Sequence, residues 1–156
     1  MMDADFLRVA IAKAREGIAA GQSPFGSVVV RGAEVVVATH NTVWRDTDPT
    51  AHAEVNSIRA ASRALGTIDL SACVLYSTCE PCPMCLSAIH WAKFRRVVYG
   101  AEIADAAAAG FSELRMPARE LARAGGSKLV VEGGLLAEEC RALFDEFRRA
   151  SAAKAY

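Results

Sequence analysis

The chain has 156 residues, 53% of them apolar and 23% charged, which suits one globular domain over residues 1–156 and excludes a disordered polyelectrolyte. Its 18 basic side chains balance 18 acidic ones, so nucleic acid would have to be held by a local basic patch, not by bulk charge. Five cysteines, three of them crowded at 79, 82 and 85, fit a reduced cytoplasmic protein with a metal site; signal-peptide and membrane-spanning patterns are lacking.

Leu7, Ala10, Ile11, Ala14 and Ile18 recur at helical spacing, with Asp3 or Asp5 to cap the helix and Gly21 to stop it. Ser27–Val30 reads as a strand, and Arg31-Gly32-Ala33 as a tight turn into a second strand, Glu34–Thr39. A polar loop from His40 to Pro49 follows, and Thr50 caps a helix over Ala51–Leu65 that ends at Gly66. Cys73–Ser77 is a short buried strand leading into Pro81-Cys82-Pro83, whose prolines suit the first turn of a helix continuing through Leu86–Lys93. Val97–Tyr99 and Lys128–Val131 read as the last two strands, with short helices over Ala104–Ala109 and Pro117–Ala124 between them. Leu136–Ala150 closes the order as a helix with Leu136, Cys140, Leu143, Phe144 and Phe147 on one face. This order implies a mixed sheet of about five strands between helical layers.

The chemistry is concentrated in His52-Ala53-Glu54 and, 27 residues after Glu54, Pro81-Cys82-Pro83-Met84-Cys85. One imidazole and two thiolates make three ligands for zinc, and a three-ligand site leaves the fourth position to water, as catalytic zinc sites do. Cys82 and Cys85 are neighbours on one helical face, and a helix N-terminus beside a cation favours their thiolates. Glu54, in the first turn after His52, is placed to shuttle protons. Structural zinc is the bland alternative. Cys79-x-x-Cys82-x-x-Cys85 also has the look of iron–sulfur ligation, but Cys140, 55 residues on, is no fourth ligand at a suitable spacing. On that reading His52, Glu54 and both prolines have no role, and Cys79 is better taken as a buried thiol at a strand end.

His52-x-Glu54…Pro81-Cys82-x-x-Cys85 resembles the signature of zinc-dependent nucleobase deaminases, and almost the whole chain is similar to the cytidine deaminase-like superfamily. Cys79–Leu86, Ala88-Ile89, Asp105–Phe111 and the terminal Tyr156 resemble its guanine deaminase branch. The resemblance implies a three-layer α/β/α sandwich around a five-stranded mixed sheet, one Zn²⁺ per subunit, and dimers or larger assemblies, a homodimer being expected here. His52, Cys82 and Cys85 would be the metal ligands and Glu54 the catalytic proton carrier. Asn41 would bind substrate, with an Asx turn as its alternative. Phe25 and Trp91 would wall the pocket, Trp91 with core packing as its alternative, and the backbone at Ala53 would touch the base. Ser112-Glu113 departs from the aspartate pair typical of the branch. Glu113 is either the second catalytic carboxylate or a solvated cap. Tyr156 either caps the pocket, through C-terminal segments that a homodimer can exchange, or ends a frayed tail.

These features point to hydrolysis of guanine to xanthine and ammonia. The alternatives are the same chemistry on guanosine, cytosine or another aminated heterocycle. A tRNA adenosine deaminase would need a basic surface, whereas Arg59, Arg63, Lys93, Arg95, Arg96, Arg148 and Arg149 are scattered among acids. A non-enzymatic zinc module would leave Glu54 idle.

Overall fold

Period-two alternation assigns the strand residues to two faces, and that division builds the molecule. The computed structural model describes residues 1–150 and 154–156. Five strands, β1 (Gly26–Arg31), β2 (Glu34–His40), β3 (Cys73–Cys79), β4 (Arg96–Ala101) and β5 (Val130–Glu132), form one sheet in the order β2-β1-β3-β4-β5. β1 runs antiparallel to both β2 and β3, whereas β3, β4 and β5 are parallel, so the sheet is mixed as expected.

Val28 and Val30 of β1, Tyr76 of β3 and Val98 of β4 point to one face. They meet α1 (Asp3–Ala19) and α7 (Ala137–Arg149) through Phe6, Leu7, Ala10, Leu143 and Phe147. Val29, Leu75, Val97 and Val131 point the other way, against Ala61 of α3 (Ala53–Leu65), Leu86 and Ile89 of α4 (Pro83–Trp91) and Ala122 of α6 (Ala118–Ala124). The sheet therefore lies between helical layers, with β3 central. Gly26 is required where α1 crosses β1: a Cβ there would stand 2.0 Å from the Ala10 carbonyl oxygen.

Several boundaries differ from the sequence reading for local reasons. Asp3 does not cap α1; it accepts hydrogen bonds from Tyr76 and Arg96, while Asp5 takes the backbone N–H of Met2, the cap residue. The loop after β2 contains one helical turn, α2 (Val43–Asp46), ended by Thr47 in the left-handed region at φ 50°. Thr50 does not cap α3, because its hydroxyl donates to Asp48 instead; His52 is the cap. The short helix expected over Ala104–Ala109 is present one residue earlier, as α5 (Ile103–Ala108) after β4. No helix among the described residues is long and apolar enough to cross a membrane.

Candidate metal centre and active-site cavity

Two helix starts bring the metal-ligand residues together. His52 is the N-cap of α3 and Cys82 the N-cap of α4, each with extended backbone, and Cys85 lies in the first turn of α4. His52 Nδ1 stands 3.5 Å from Cys85 Sγ and 3.7 Å from Cys82 Sγ, and the three donor atoms lie within 4.8 Å of one another. A nitrogen and a sulfur bound tetrahedrally to one zinc, at ~2.0 and ~2.3 Å, would be about 3.6 Å apart. The donor set therefore fits zinc in both chemistry and spacing.

The electrostatics favour a thiolate. The Cys82 thiol is held down to about 4, first by its hydrogen bond with Cys85 and then by that with His52. Cys85 is pushed well up, because its partner Cys82 ionises first and because it is buried. The positive N-terminal ends of α3 and α4 both converge here, which adds to thiolate stability. Cys79 stays outside the cluster as a buried strand-end thiol, its sulfur donating to the Glu102 carbonyl at 3.6 Å. That turns it away from any cluster with Cys82 and Cys85.

Glu54 is buried beside the ligands. Its Oε1 accepts the Ser77 hydroxyl at 3.0 Å, and its Oε2 faces Cys85 Sγ at 3.6 Å. Burial, then the charge on Cys82, raises its pKa, so the site favours a carboxyl group that can hold a proton. Ser77 was not singled out in the sequence, although its place on β3, in register with Ser27 of β1, puts it on the α3 face.

A cavity of about 280 Å³ opens over this cluster, near the lower limit of the roughly 300–1,000 Å³ usual for ligand sites. Phe25, His52, Glu54, Cys82, Glu113 and Tyr156 are among its walls. Phe25 packs edge-on against Phe111 at 5.0 Å between ring centres, so it is an aromatic wall fixed by core neighbours. Glu113 is half-buried, and its carboxyl is pushed up to about 7 by burial and then by the charge on Cys82. Glu80, Pro49, Met84 and Leu114 also line the cavity and were not expected to; the segments that carry them meet only in the folded chain.

Asn41 is fully buried and makes the Asx turn that was its alternative reading. Its Oδ1 accepts the Val43 N–H at 3.0 Å, an Asx turn that starts α2. Its Nδ2 donates to the Tyr156 hydroxyl at 2.6 Å. Ala53 lies between the lining residues His52 and Glu54, is fully buried, and its carbonyl accepts the Thr39 hydroxyl at 2.8 Å.

Trp91 requires correction. It is 81% exposed, so it neither walls this cavity nor packs in the core. Cys85 and Trp91 are six residues apart along α4, roughly 9 Å of helix, which carries the indole away from the ligand end.

Tyr156 reaches the cavity of its own chain. Its carbonyl accepts the Ser112 N–H at 2.8 Å, and its ring stands edge-on to Phe111 at 5.4 Å and 6.1 Å from the His52 ring. Trp44 Nε1 donates to the Lys154 carbonyl at 3.1 Å, a second anchor for the same segment. The segment, read either as a cap or as a frayed tail, ends in a docked aromatic; residues 151–153 of it lie outside the described residues.

Residues 1–101 match the family model of the cytidine and deoxycytidylate deaminase zinc-binding region. The chain is 50% identical over 109 residues to the guanine deaminase of Bacillus subtilis, covering 69% of this chain and 70% of that one. It is 34% identical over 144 residues to the tRNA-specific adenosine deaminase of the same organism, covering 92% and 87%. The solved guanine deaminase of Nitrosomonas europaea superimposes with a TM-score of 0.85 at 30% identity, over 93% of this chain and 84% of that one.

Proposed function

The chain belongs to the cytidine and deoxycytidylate deaminase zinc-binding family, and from that membership we propose that it hydrolyses guanine to xanthine and ammonia. The observation that carries this reading is the small cavity lined by His52, Glu54, Cys82, Glu113 and Tyr156, over the group of His52, Cys82 and Cys85. A cavity of this size suits a free planar base better than a nucleoside, which carries a ribose as well.

Zinc held by His52, Cys82 and Cys85 would supply a water molecule acidic enough to ionise near neutral pH. Glu54 supplies the proton path. Ser77 holds Oε1, which leaves Oε2, on the metal side, to take the proton from water. Glu54 then passes it to the ring nitrogen beside the amino-bearing carbon, and later carries the remaining proton of the added hydroxyl to the departing amine. Water adds its oxygen to the carbon, the carbon–nitrogen bond breaks, and ammonia leaves. Glu113, Phe25, Asn41 and the backbone at Ala53 orient the base, with Glu113 as the second carboxyl at its edge.

A tRNA substrate is the alternative raised by the adenosine deaminase relative. Zero net charge argues against it, as do arginines already paired with acids, such as Arg15 with Glu146 and Arg59 with Asp48. A homodimer belongs to this reading, supported by two exposed apolar side chains on α4, Trp91 and Met84. An exchanged tail is not needed for Tyr156 to reach a site. A cytoplasmic location is supported by five free cysteines.

Ammonia release from guanine, guanosine, cytosine, cytidine, adenine and adenosine tests the substrate, with guanine expected to be turned over fastest. Faster cytosine or nucleoside turnover would reject guanine while leaving the zinc chemistry intact, and sedimentation as a monomer would remove the dimer. Deleting residues 154–156 removes the Asn41–Tyr156 hydrogen bond and opens the cavity to water. The truncated enzyme is expected to lose about tenfold in kcat/KM, the scale of one hydrogen bond, with zinc content and Tm nearly unchanged. Unaltered kinetics would exclude a capping role for Tyr156.

A further inference from the structure

Glu80 sits inside the cysteine motif but belongs neither to the ligand set nor to the proton path. Only 8% of it is exposed, and both side-chain oxygens are engaged by backbone. Oε2 accepts the N–H of Ile103 at 2.9 Å and Oε1 that of Ala118 at 2.8 Å. These are the first residues of α5 and α6, where helical N–H groups have no partner within the helix. One side chain from the end of β3 therefore caps two helices at once. α6 depends on it more, since its own cap residue is Pro117, which offers no side-chain acceptor.

The two anchored positions bracket the segment that crosses the cavity. From Ile103 the chain runs through α5, turns at Gly110 in the left-handed region at φ 102°, presents Phe111 and Glu113 to the cavity, and returns to Ala118. Glu80 itself is fixed by its own N–H, which donates to the Ala101 carbonyl of β4 at 2.7 Å. Two residues further on is Cys82. A single residue thus links the loop holding two metal ligands to the loop holding Glu113.

We propose that Glu80 is a positioning residue: by capping α5 and α6 together it sets where Glu113 stands relative to the metal ligands. This rests on the proposed role of Glu113 in guanine deamination. A residue that served stability alone would lower activity whether or not Glu113 was present.

Glu80→Gln keeps the shape but leaves one acceptor oxygen, so an amide NH₂ must face one of the two backbone N–H groups. In the zinc-loaded protein, hydrogen exchange of residues 109–118 is expected to quicken about tenfold, the scale of one lost buried hydrogen bond. Exchange in β1 and β3 should not change, and zinc should remain at one per chain. Guanine kcat/KM should fall about tenfold or more in the wild-type background and less than about twofold in a Glu113→Gln background. Ala118→Pro removes one donor from the opposite side, at a first helical position where proline is tolerated, and should give the same local exchange if Glu80→Gln fails to fold.

Unchanged exchange over 109–118 would overturn the proposal, as would loss of zinc or an equal fold-loss in both backgrounds. If the wild-type protein does not turn over guanine, the substrate reading fails, and the exchange measurement still decides the role of the cap.

Discussion

Glu54→Gln is expected to retain one zinc per chain and to lose turnover by about 10²–10⁴-fold, the usual worth of a positioned general acid–base. The variant should fold, because the Ser77 hydroxyl can donate to an amide oxygen as it does to Oε1, and an amide NH₂ can point at the Cys85 sulfur. What is lost is the ability to take a proton and return it. Metal analysis alongside ammonia release separates the outcomes. Near-normal turnover would remove Glu54 from the proton path, and loss of zinc would make its carboxylate a ligand.

His52→Ala, Cys82→Ala and Cys85→Ala are each expected to lose both the metal and all measurable activity. Among the described residues these three form the only group of histidine, cysteine or acidic side chains placed to hold an ion, so none has a substitute. Each truncation takes away a third of the protein's donors, and for Cys85, fully buried, it also leaves a cavity. Zinc content by metal analysis and activity should fall together. Iron with visible absorption in the wild-type protein would instead revive a cluster, against the geometry of Cys79, whose sulfur turns to the Glu102 carbonyl.

What could be read from the residues was whatever depends on short-range periodicity or on donor chemistry. The β-branched run Ser27–Val30 and the short apolar run Cys73–Ser77 were legible as strands, and the i, i+3 spacing of Cys82 and Cys85 gave two ligands on one helix start. The match of His52-x-Glu54 to that pair was legible because few side-chain types bind zinc or carry protons. What could not be read depends on where separate loops come to rest. Trp91 was misplaced because it was carried over by resemblance, which says nothing about which way this helix end leaves the site. The cap of α3 moved from Thr50 to His52 because a local hydrogen bond to Asp48 competed for the threonine hydroxyl. Glu80 carried no periodic signal at all, since its partners at 103 and 118 are distant in the chain and present only backbone N–H groups. Tyr156 was legible only through resemblance, because a polar tail has no pattern that announces a docking place.

The distance along the chain between the ligands has a further effect. Cys82 and His52 stand 30 positions apart, and the stretch between them includes the whole of α3 and of β3. An ion joining them closes that stretch into a ring and removes conformational freedom from the unfolded polypeptide, much as a covalent bridge would. For a disulfide over a loop of that length the entropy restriction is about 3–4 kcal/mol, a substantial share of the ~5–15 kcal/mol that holds a typical domain folded. The reagent of the reaction is thus also a tether on the chain, and starving the protein of metal would weaken its fold as well as stop its chemistry.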